Sequence, residues 1–422
     1  MANPVRRILF ASLIGSTIEF FDFYTYANAA VLVFPKLFFP ASDPTAAMMQ
    51  SLATFALAFF ARPFGSAFFG HFGDRIGRKA TLVAALLTMG ISTVVIGALP
   101  TYASAGAFAP VMLALCRFGQ GLGLGGEWGG AVLLATENAP AGQRAWFSMF
   151  PQLGAPIGLL LSGGTFLLLS RLLPEDQFIS YGWRIPFLAS AILVLVGLYV
   201  RLRITETPDF REAMLANRRV RVPILAVVRA HAAELVLGTL MATVTFQLFY
   251  LVTVFAQSWA TTEFHLPREQ CLELQLFAVL FFALTIPLAA RAADRAGGLR
   301  TMIGVTLAIL AFGLLFGPLF GHGALAQIAI FLCLGMILMG ATYGPLGEVL
   351  AALFPTQIRY TGLSLAFNLA GILGASLAPY LAVSLGRSYG LGYVGLYLAC
   401  GAALTLLALV LAARRTAVQA AA

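Results

Sequence analysis

Apolar residues along this chain neither alternate nor recur on one helical face. They run almost unbroken for about twenty residues at a time, with short polar stretches between the runs. Twelve runs are read: 8–34, 47–71, 80–99, 109–137, 145–170, 183–204, 232–258, 271–290, 301–320, 325–350, 357–384 and 391–413. A helix rises about 1.5 Å per residue and a hydrocarbon core is ~30 Å thick, so each run is long enough to cross a bilayer. The pattern predicts an all-α integral membrane protein of twelve transmembrane helices. Several runs exceed the minimum, which predicts tilt or helix ends that project into the interface.

Composition agrees: 60% of the 422 residues are hydrophobic, 10% are charged, and mean hydropathy is +0.90. Soluble domains carry far more charge. The net charge of +9 first suggests nucleic acid, but its placement argues otherwise. With the N-terminus inside, 19 Lys and Arg fall on one side, among them Arg6, Arg7, Arg75, Arg78, Lys79, Arg201, Arg219 and Arg414. Only Lys36, Arg171, Arg184, Arg268 and Arg387 fall on the other. This is the positive-inside asymmetry, so the basic charge encodes topology, with both termini cytoplasmic and no nucleic-acid partner. Arg6, Arg7 and Ala27-Asn28-Ala29 mimic a signal peptide, yet Glu19 and Asp22 interrupt the apolar run and it is too long to be cleaved as one. Cys116, Cys271, Cys333 and Cys400 are isolated from one another and read as packing residues; neither a metal nor a cofactor is expected.

The longest polar segment, 205–231, separates an N-terminal bundle of six spans (1–204) from a C-terminal bundle of six (232–422). The halves echo each other. "GDRIGRKATLV" after the second span is matched by "ADRAGGLRTMI" after the eighth, and Pro140 and Arg144 after the fourth by Pro355 and Arg359 after the tenth. A repeat of this period predicts two similar bundles facing one another across a pseudo-twofold axis.

Together with "ARPFGSAFFGHFGDRIGRK", "RFGQGLGLGGEWGG" and "YGWRIPFL", these features make the chain resemble the metabolite:proton symporter family of the major facilitator superfamily. That family includes transporters of shikimate, 2-oxoglutarate, citrate and proline/betaine. The resemblance covers the whole chain and is densest in residues 15–210; "DRAGGLR" lacks the compact basic spacing of "DRIGRK". It implies the major facilitator fold, with helices one, four, seven and ten lining a central cavity, and a proton as the coupling ion.

The loop Gly73, Asp74, Arg75, Gly77, Arg78 and Lys79, with its echo at Asp294 and Arg295, is implied by the resemblance to be a conformational latch. Topology alone would account for the bases but not for Asp74 or the paired glycines. "GLGLGG" at 121–126 matches a dinucleotide-binding pattern, but no strand precedes it and it lies inside a span, so its glycines read as sites of close helix approach.

Five charged residues fall deep inside spans, away from their ends, all in the first half: Glu19, Asp22, Arg62, Arg117 and Glu127; Glu234 and Glu348 sit near span ends. Ser12, Ser16, Glu19, Asp22 and Tyr26 share one face of the first helix, which predicts a face turned toward protein or water. Counted from the basic ends of their spans, Glu19, Asp22, Arg62 and Glu127 lie within roughly 8 Å in depth at about 1.5 Å per residue. An ionised residue at mid-membrane costs ~2.5–3.5 kcal/mol or more, so each should have a partner. Three carboxylates facing two arginines leave one acid without a buried counter-ion, and that acid is expected to gain and lose a proton. Asp22 is favoured, with Arg117 as its switchable partner and Glu19 with Arg62 as a more permanent pair. Glu19 and Glu127 remain alternatives, and a static network is the competing structural explanation.

Spans seven to twelve carry neutral hydrogen-bonding groups instead. Gln247, Tyr250, Tyr343 and Asn368 are candidate substrate contacts, joined by Tyr26 and Arg117 from the first half. Glu137 and Arg144 are expected to form an ion pair, and Arg184 to anchor the sixth helix at the interface. The expected activity is proton-driven import of a small organic acid, a shikimate-like or other monocarboxylate, by a monomer in a bacterial inner membrane. A proton-coupled efflux antiporter and a betaine or proline symporter are the alternatives. The chain's end shortly after Arg415 argues against osmotic sensing by a tail, and no constellation of an enzyme is found.

Overall fold

In a computed structural model, residues 5–40, 44–203, 223–321, 323–376 and 378–421 are described. Among them there is no strand. Twelve long helices follow in order: α1 (Val5–Leu32), α2 (Pro44–Arg75), α3 (Arg78–Ala98), α4 (Phe108–Thr136), α5 (Arg144–Leu172), α6 (Arg184–Leu202), α7 (Ala232–Thr262), α8 (Arg268–Ala296), α9 (Gly298–Leu314), α10 (Leu325–Ala352), α11 (Arg359–Tyr389) and α12 (Leu391–Ala421). Eleven are long and apolar enough to span a bilayer; α9 is apolar but shorter. Its predicted run to residue 320 is interrupted because Pro318 has no N–H to give and its ring crowds the carbonyl four residues back, at Leu314, where the helix ends. A separate turn, Phe316–Phe320, completes the crossing.

The helices spanning a bilayer must bond their own backbone, while their side chains sort by neighbour. Phe60, Phe64, Phe68 and Phe72 project outward from α2 at four-residue intervals, exposed as lipid-facing residues are. The opposite face of α2 buries Arg62 and Ser66. α1 packs on α5, α2 on α4, and α3 on α4 and α6; in the second half α8 packs on α10, α9 on α12 and α7 on α12. The halves meet along α2 with α11 and α5 with α8, two seams related by the internal repeat. The two turns of the repeat also match in backbone: Gly77 has φ 120° and Gly297 φ 94°, values that only glycine adopts without strain. Most of the connecting segment between the halves, 204–222, lies outside the described residues, and a short helix, Pro223–Ala230, leads into α7.

α7 and α11 each contain one wide helical turn, Leu251–Phe255 and Ile372–Ser376. Such turns shift the face a helix presents. Both lie just beyond residues that line the space between the halves.

Candidate transport site

That space is a cavity lined by both halves. α1 contributes Glu19, Phe20, Phe23 and Tyr24; α2 gives Arg62, α4 Leu124 and Trp128, and α5 Ala155. Thr245, Phe246, Phe249 and Tyr250 come from α7, Phe282 from α8, Met339 and Tyr343 from α10, and Phe367 and Asn368 from α11. The lining is therefore drawn from eight helices, not only from the four that the resemblance implies.

Arg62 is the one cation in this lining and Glu19 the one acid. The Arg62 Cζ lies 4.6 Å from the centre of the Phe23 ring and 4.7 Å from that of Phe59, so two aromatic rings flank the charge. Among the described residues, the Arg62 side chain makes no hydrogen bond and no ion pair, and its Nε is sealed from solvent. Glu19 Oε2 is likewise buried and unpartnered. The expected permanent Glu19–Arg62 pair is thus not formed: both face the same cavity, with no N–O contact within 4 Å among the described residues.

Asp22 points away from this cavity. Ser190 on α6 donates to its Oδ1 at 2.6 Å, while Oδ2 is buried without a partner. Thr93 of α3 lies beside the same carboxyl. Gln120 donates to Thr93 Oγ1 at 2.7 Å and accepts from Arg117 Nη1 at 3.0 Å. Asp22 and Arg117 are therefore linked through two neutral side chains rather than directly. Arg117 is fully buried, its Cζ 4.0 Å from the Tyr26 ring centre and 4.8 Å from those of Phe23 and Phe55. Tyr26 gives its hydroxyl to Thr54 at 2.7 Å and packs in an apolar cluster outside the cavity. Neither Tyr26 nor Arg117 lines the cavity, which corrects both as substrate contacts in this conformation.

Glu127 is paired with Arg201 in a buried contact, and Arg201 Nη1 also donates to the Leu82 carbonyl at 2.7 Å. The sequence places Arg201 with the bases of the exposed side, because it sits in the last turn of α6. It is 3% exposed and turns inward. Three buried carboxylates thus face three buried arginines, and the surplus of acid inferred from the sequence does not exist.

Of the second-half candidates, Tyr250 and Tyr343 line the cavity. The hydroxyls of Tyr24 and Tyr250 form no hydrogen bond among the described residues. Asn368 lines it too, but its amide is spent on Ser66 Oγ (2.8 Å) and the carbonyls of Gly125 (3.2 Å) and Ser364 (2.8 Å), joining α11 to α2 and α4. Gln247 is corrected outright: its amide donates to the Tyr397 carbonyl on α12 at 2.9 Å, inside the second half.

The cavity is shut on the side that carries the repeat turns, here the basic face. Trp128 stacks on Phe367 with ring centres 3.5 Å apart, and Tyr360 donates its hydroxyl to the Gly126 carbonyl at 2.6 Å. Asp74 accepts from Thr361 Oγ1 (2.7 Å), Thr361 N (3.0 Å) and Tyr360 N (3.3 Å) at the start of α11, and pairs with Arg78 at 3.2 Å. Asp294 accepts from the N–H groups of Ala145 and Trp146 at the start of α5, both at 2.9 Å. Each Asp thus caps the positive end of a helix in the opposite half. Gly73 lets the Tyr360 ring lie against α2, and Arg78 also reaches the Thr356 carbonyl at 3.2 Å. Glu137, expected to pair with Arg144, meets Arg78 and Arg359. Among the described residues, the Arg75 side chain meets His71 on its own helix, Lys79 donates to the Leu202 carbonyl at 2.7 Å, and the Arg295 side chain makes no polar contact.

This arrangement has counterparts. The family model described as sugar (and other) transporter matches residues 8–220. The inner membrane metabolite transport protein YhjE of Escherichia coli (strain K12) is 56% identical over 414 residues, 97% of this chain and 94% of the relative. The chain belongs to this transporter family. The shikimate transporter of the same organism is 34% identical, covering 91% of this chain and 88% of that one. The transporter's fold matches that of the major facilitator superfamily proton:xylose symporter XylE of E. coli, with a TM-score of 0.77 over 96% of this chain and 94% of the other. At 18% identity that likeness establishes the major facilitator fold and nothing further. A member of this transporter family is a carrier, not an enzyme.

Two features of the transporter carry little signal in its sequence. Arg201 carried no signal beyond its place one turn inside a span. The aromatic enclosure of Arg62 was signalled in part, by Phe20, Phe23 and Tyr24 on the helix that bears Glu19.

Proposed function

We propose that the transporter imports a small organic acid together with a proton across a bacterial inner membrane, by rocking of an N-terminal bundle (1–204) against a C-terminal bundle (232–422). The basic face is taken as cytoplasmic, with both termini on it. In the conformation described, that face is closed. Asp74 and Asp294, with Gly73, Gly77 and Arg78, act as the latch that must release before substrate leaves inward. Arg75, Lys79 and Arg295 act through topology.

The observation that carries the reading is an Arg62 guanidinium with no hydrogen-bond or ion-pair partner among the described residues, facing a cavity between the two halves. A buried cation is costly unless something compensates it, and an anionic substrate does so. Asp22 lies outside that cavity with one orphan oxygen and a neutral relay to Arg117. It is the group best separated from substrate to carry the proton, and Arg117 acts on it through Gln120 and Thr93 within the same bundle. Glu127, held by Arg201, is structural. Inward proton movement down the membrane potential supplies the drive.

Uptake into proteoliposomes with an inward proton gradient tests this. Wild type should concentrate an organic acid, and Asp22→Asn should lose concentration while keeping exchange of labelled for unlabelled substrate. Gradient-driven accumulation by Asp22→Asn would refute the assignment, and net export by wild type would favour an antiporter. A second reading has support in the cavity itself. Ten aromatic side chains with Glu19 beside Arg62 are also the chemistry of a zwitterion such as betaine or proline.

A further inference from the structure

Two buried cations of the first half share one aromatic ring. The Arg62 Cζ lies 4.6 Å and the Arg117 Cζ 4.8 Å from the centre of the Phe23 ring, so these like charges are less than about 10 Å apart. Neither guanidinium has an ion-pair partner among the described residues, and the Nε of each, with Nη2 of Arg117, is sealed off without a hydrogen bond. Phe59 flanks Arg62, while Phe55 and Tyr26 flank Arg117. Phe23 is buried, and among the described residues it is the ring that lies over both charges. In the chain it directly follows Asp22.

The surroundings of Asp22 complete the path. Arg117 Nη1 donates to Gln120, whose amide donates to Thr93 beside the Asp22 carboxyl, and Ser190 donates to Asp22 Oδ1. This relay holds Arg117 out of the cavity, so the two cations keep their separation. Charged groups reach the neighbourhood of Asp22 from few elements: Arg62 on α2, Arg117 on α4, and Glu127 on α4 held by Arg201 of α6. Glu19 lies about one turn away on α1 and faces the cavity. The charged residues of α3 (Arg78, Lys79) and α5 (Arg144, Arg171) sit at the helix ends.

We propose that Phe23 is a coupling spacer: a dry ring across which a carboxylate held at Arg62 and a proton held at Asp22 favour one another. The proposal rests on the proton-coupled reading above and names the residue that joins its two sites.

Charge alone gives the sign. A carboxylate on Arg62 cancels one positive charge near Asp22, the local potential turns more negative, and a proton on Asp22 is held more tightly. The effect is mutual, because linkage requires that protonating Asp22 tightens the carboxylate by the same factor. Cargo and proton then load together, as symport requires. The strength depends on what fills the gap. Charges interact about four times more strongly across a medium of permittivity ~20 than across water at ~80. The aromatic rings exclude water around both guanidiniums; an aliphatic side chain at position 23 leaves both arginines in place but admits water that screens them. Phe23 is therefore a positioning residue, which holds two cations on its ring and keeps the space around them dry.

The test needs no substrate, since Arg62→Gln imitates the neutralised site. Asp22 is titrated by infrared spectroscopy of the full chain in lipid nanodiscs, its carboxyl band being assigned by its loss in Asp22→Asn. Arg62→Gln should raise the Asp22 midpoint by about one pH unit, a tenfold gain in proton affinity within the range of coupled sites. In a Phe23→Leu background the same step should raise it by about a quarter of a unit, the fourfold weakening expected of screening. Phe23→Met is a second ringless background that should behave likewise, and Phe23→Tyr, which restores the ring, should keep the full shift. A purely structural role for Phe23 would lower thermal stability in all backgrounds without altering this difference between two folded proteins. A full shift in Phe23→Leu or Phe23→Met, its loss in Phe23→Tyr, or an unmoved midpoint in Arg62→Gln overturns the spacer and leaves Asp22 as the proton site. A wild type in which no band titrates with the Asp22 carboxyl overturns both.

Discussion

Asp74→Asn should open the basic face. In the closed conformation the Asp74 carboxylate accepts three hydrogen bonds from the start of α11, at 2.7, 3.0 and 3.3 Å, and its side chain is fully buried. Its ion pair with Arg78 stays within one half and survives rocking, so only the bonds to Tyr360 and Thr361 bear on the equilibrium. Hydrogen bonds to a charged group contribute ~1.5–3 kcal/mol each where they are measured singly, and they are not additive. Asparagine keeps one acceptor oxygen and loses the charge that faces the helix N-terminus, an effect of ~0.3–2 kcal/mol. A differential loss of about 2 kcal/mol is therefore expected, or roughly thirtyfold in population. A closed state favoured by about thirty to one would fall to about one to one. Spin labels at the exposed positions Ala141 and Arg295, on opposite halves of the basic face, read this as a new long-distance population in pulsed dipolar spectroscopy. Thr361→Val, which removes one hydroxyl, should shift the same populations by a smaller amount. An unchanged distance distribution in folded Asp74→Asn would refute the argument, because the carboxylate would then contribute equally to both states.

Three further outcomes are expected. Arg201→Met should lower thermal stability steeply, by about 3–5 kcal/mol, since it strands the Glu127 charge; Arg201→Met with Glu127→Gln should recover most of the loss, and failure to recover would mean Arg201 acts elsewhere. Gln247→Leu should change stability by only ~0.6 kcal/mol and leave KM for any transported acid within about twofold, because its amide serves α12 and not the cavity; a tenfold rise in KM would return it to the site. Gly297→Ala should destabilise by about 1 kcal/mol or more for its φ of 94°, whereas Gly304→Ala inside α9, with no atom within 4 Å, should be neutral or stabilising in the same melting assay.

The location of each buried acid along the membrane normal could be counted from the sequence, since helices rise at a fixed rate. The partner of each could not. Glu127 and Arg62 were counted at similar depths, yet Glu127 meets Arg201 on α6 while Arg62 faces the cavity from α2. Azimuth and neighbour choice are decided by how six helices pack, and a rotation of a few tens of degrees exchanges one partner for another. Arg201 illustrates the limit most sharply. One turn inside a span, a long side chain either reaches back to water or folds in, and its own sequence favours neither.

By itself the sequence marked this chain as an all-helical membrane protein of about twelve spans, with its bases concentrated in alternate loops and a motif after the second span echoed after the eighth. Those properties follow from composition and period, which act on each segment independently of the others. The tertiary structure alone decided that three arginines balance three carboxylates, that Asp22 and Arg117 are joined only through Gln120 and Thr93, and that Arg62 is left to the cavity. Those depend on contacts a few ångströms long between residues far apart in the chain, and such contacts exist only once the helices have packed.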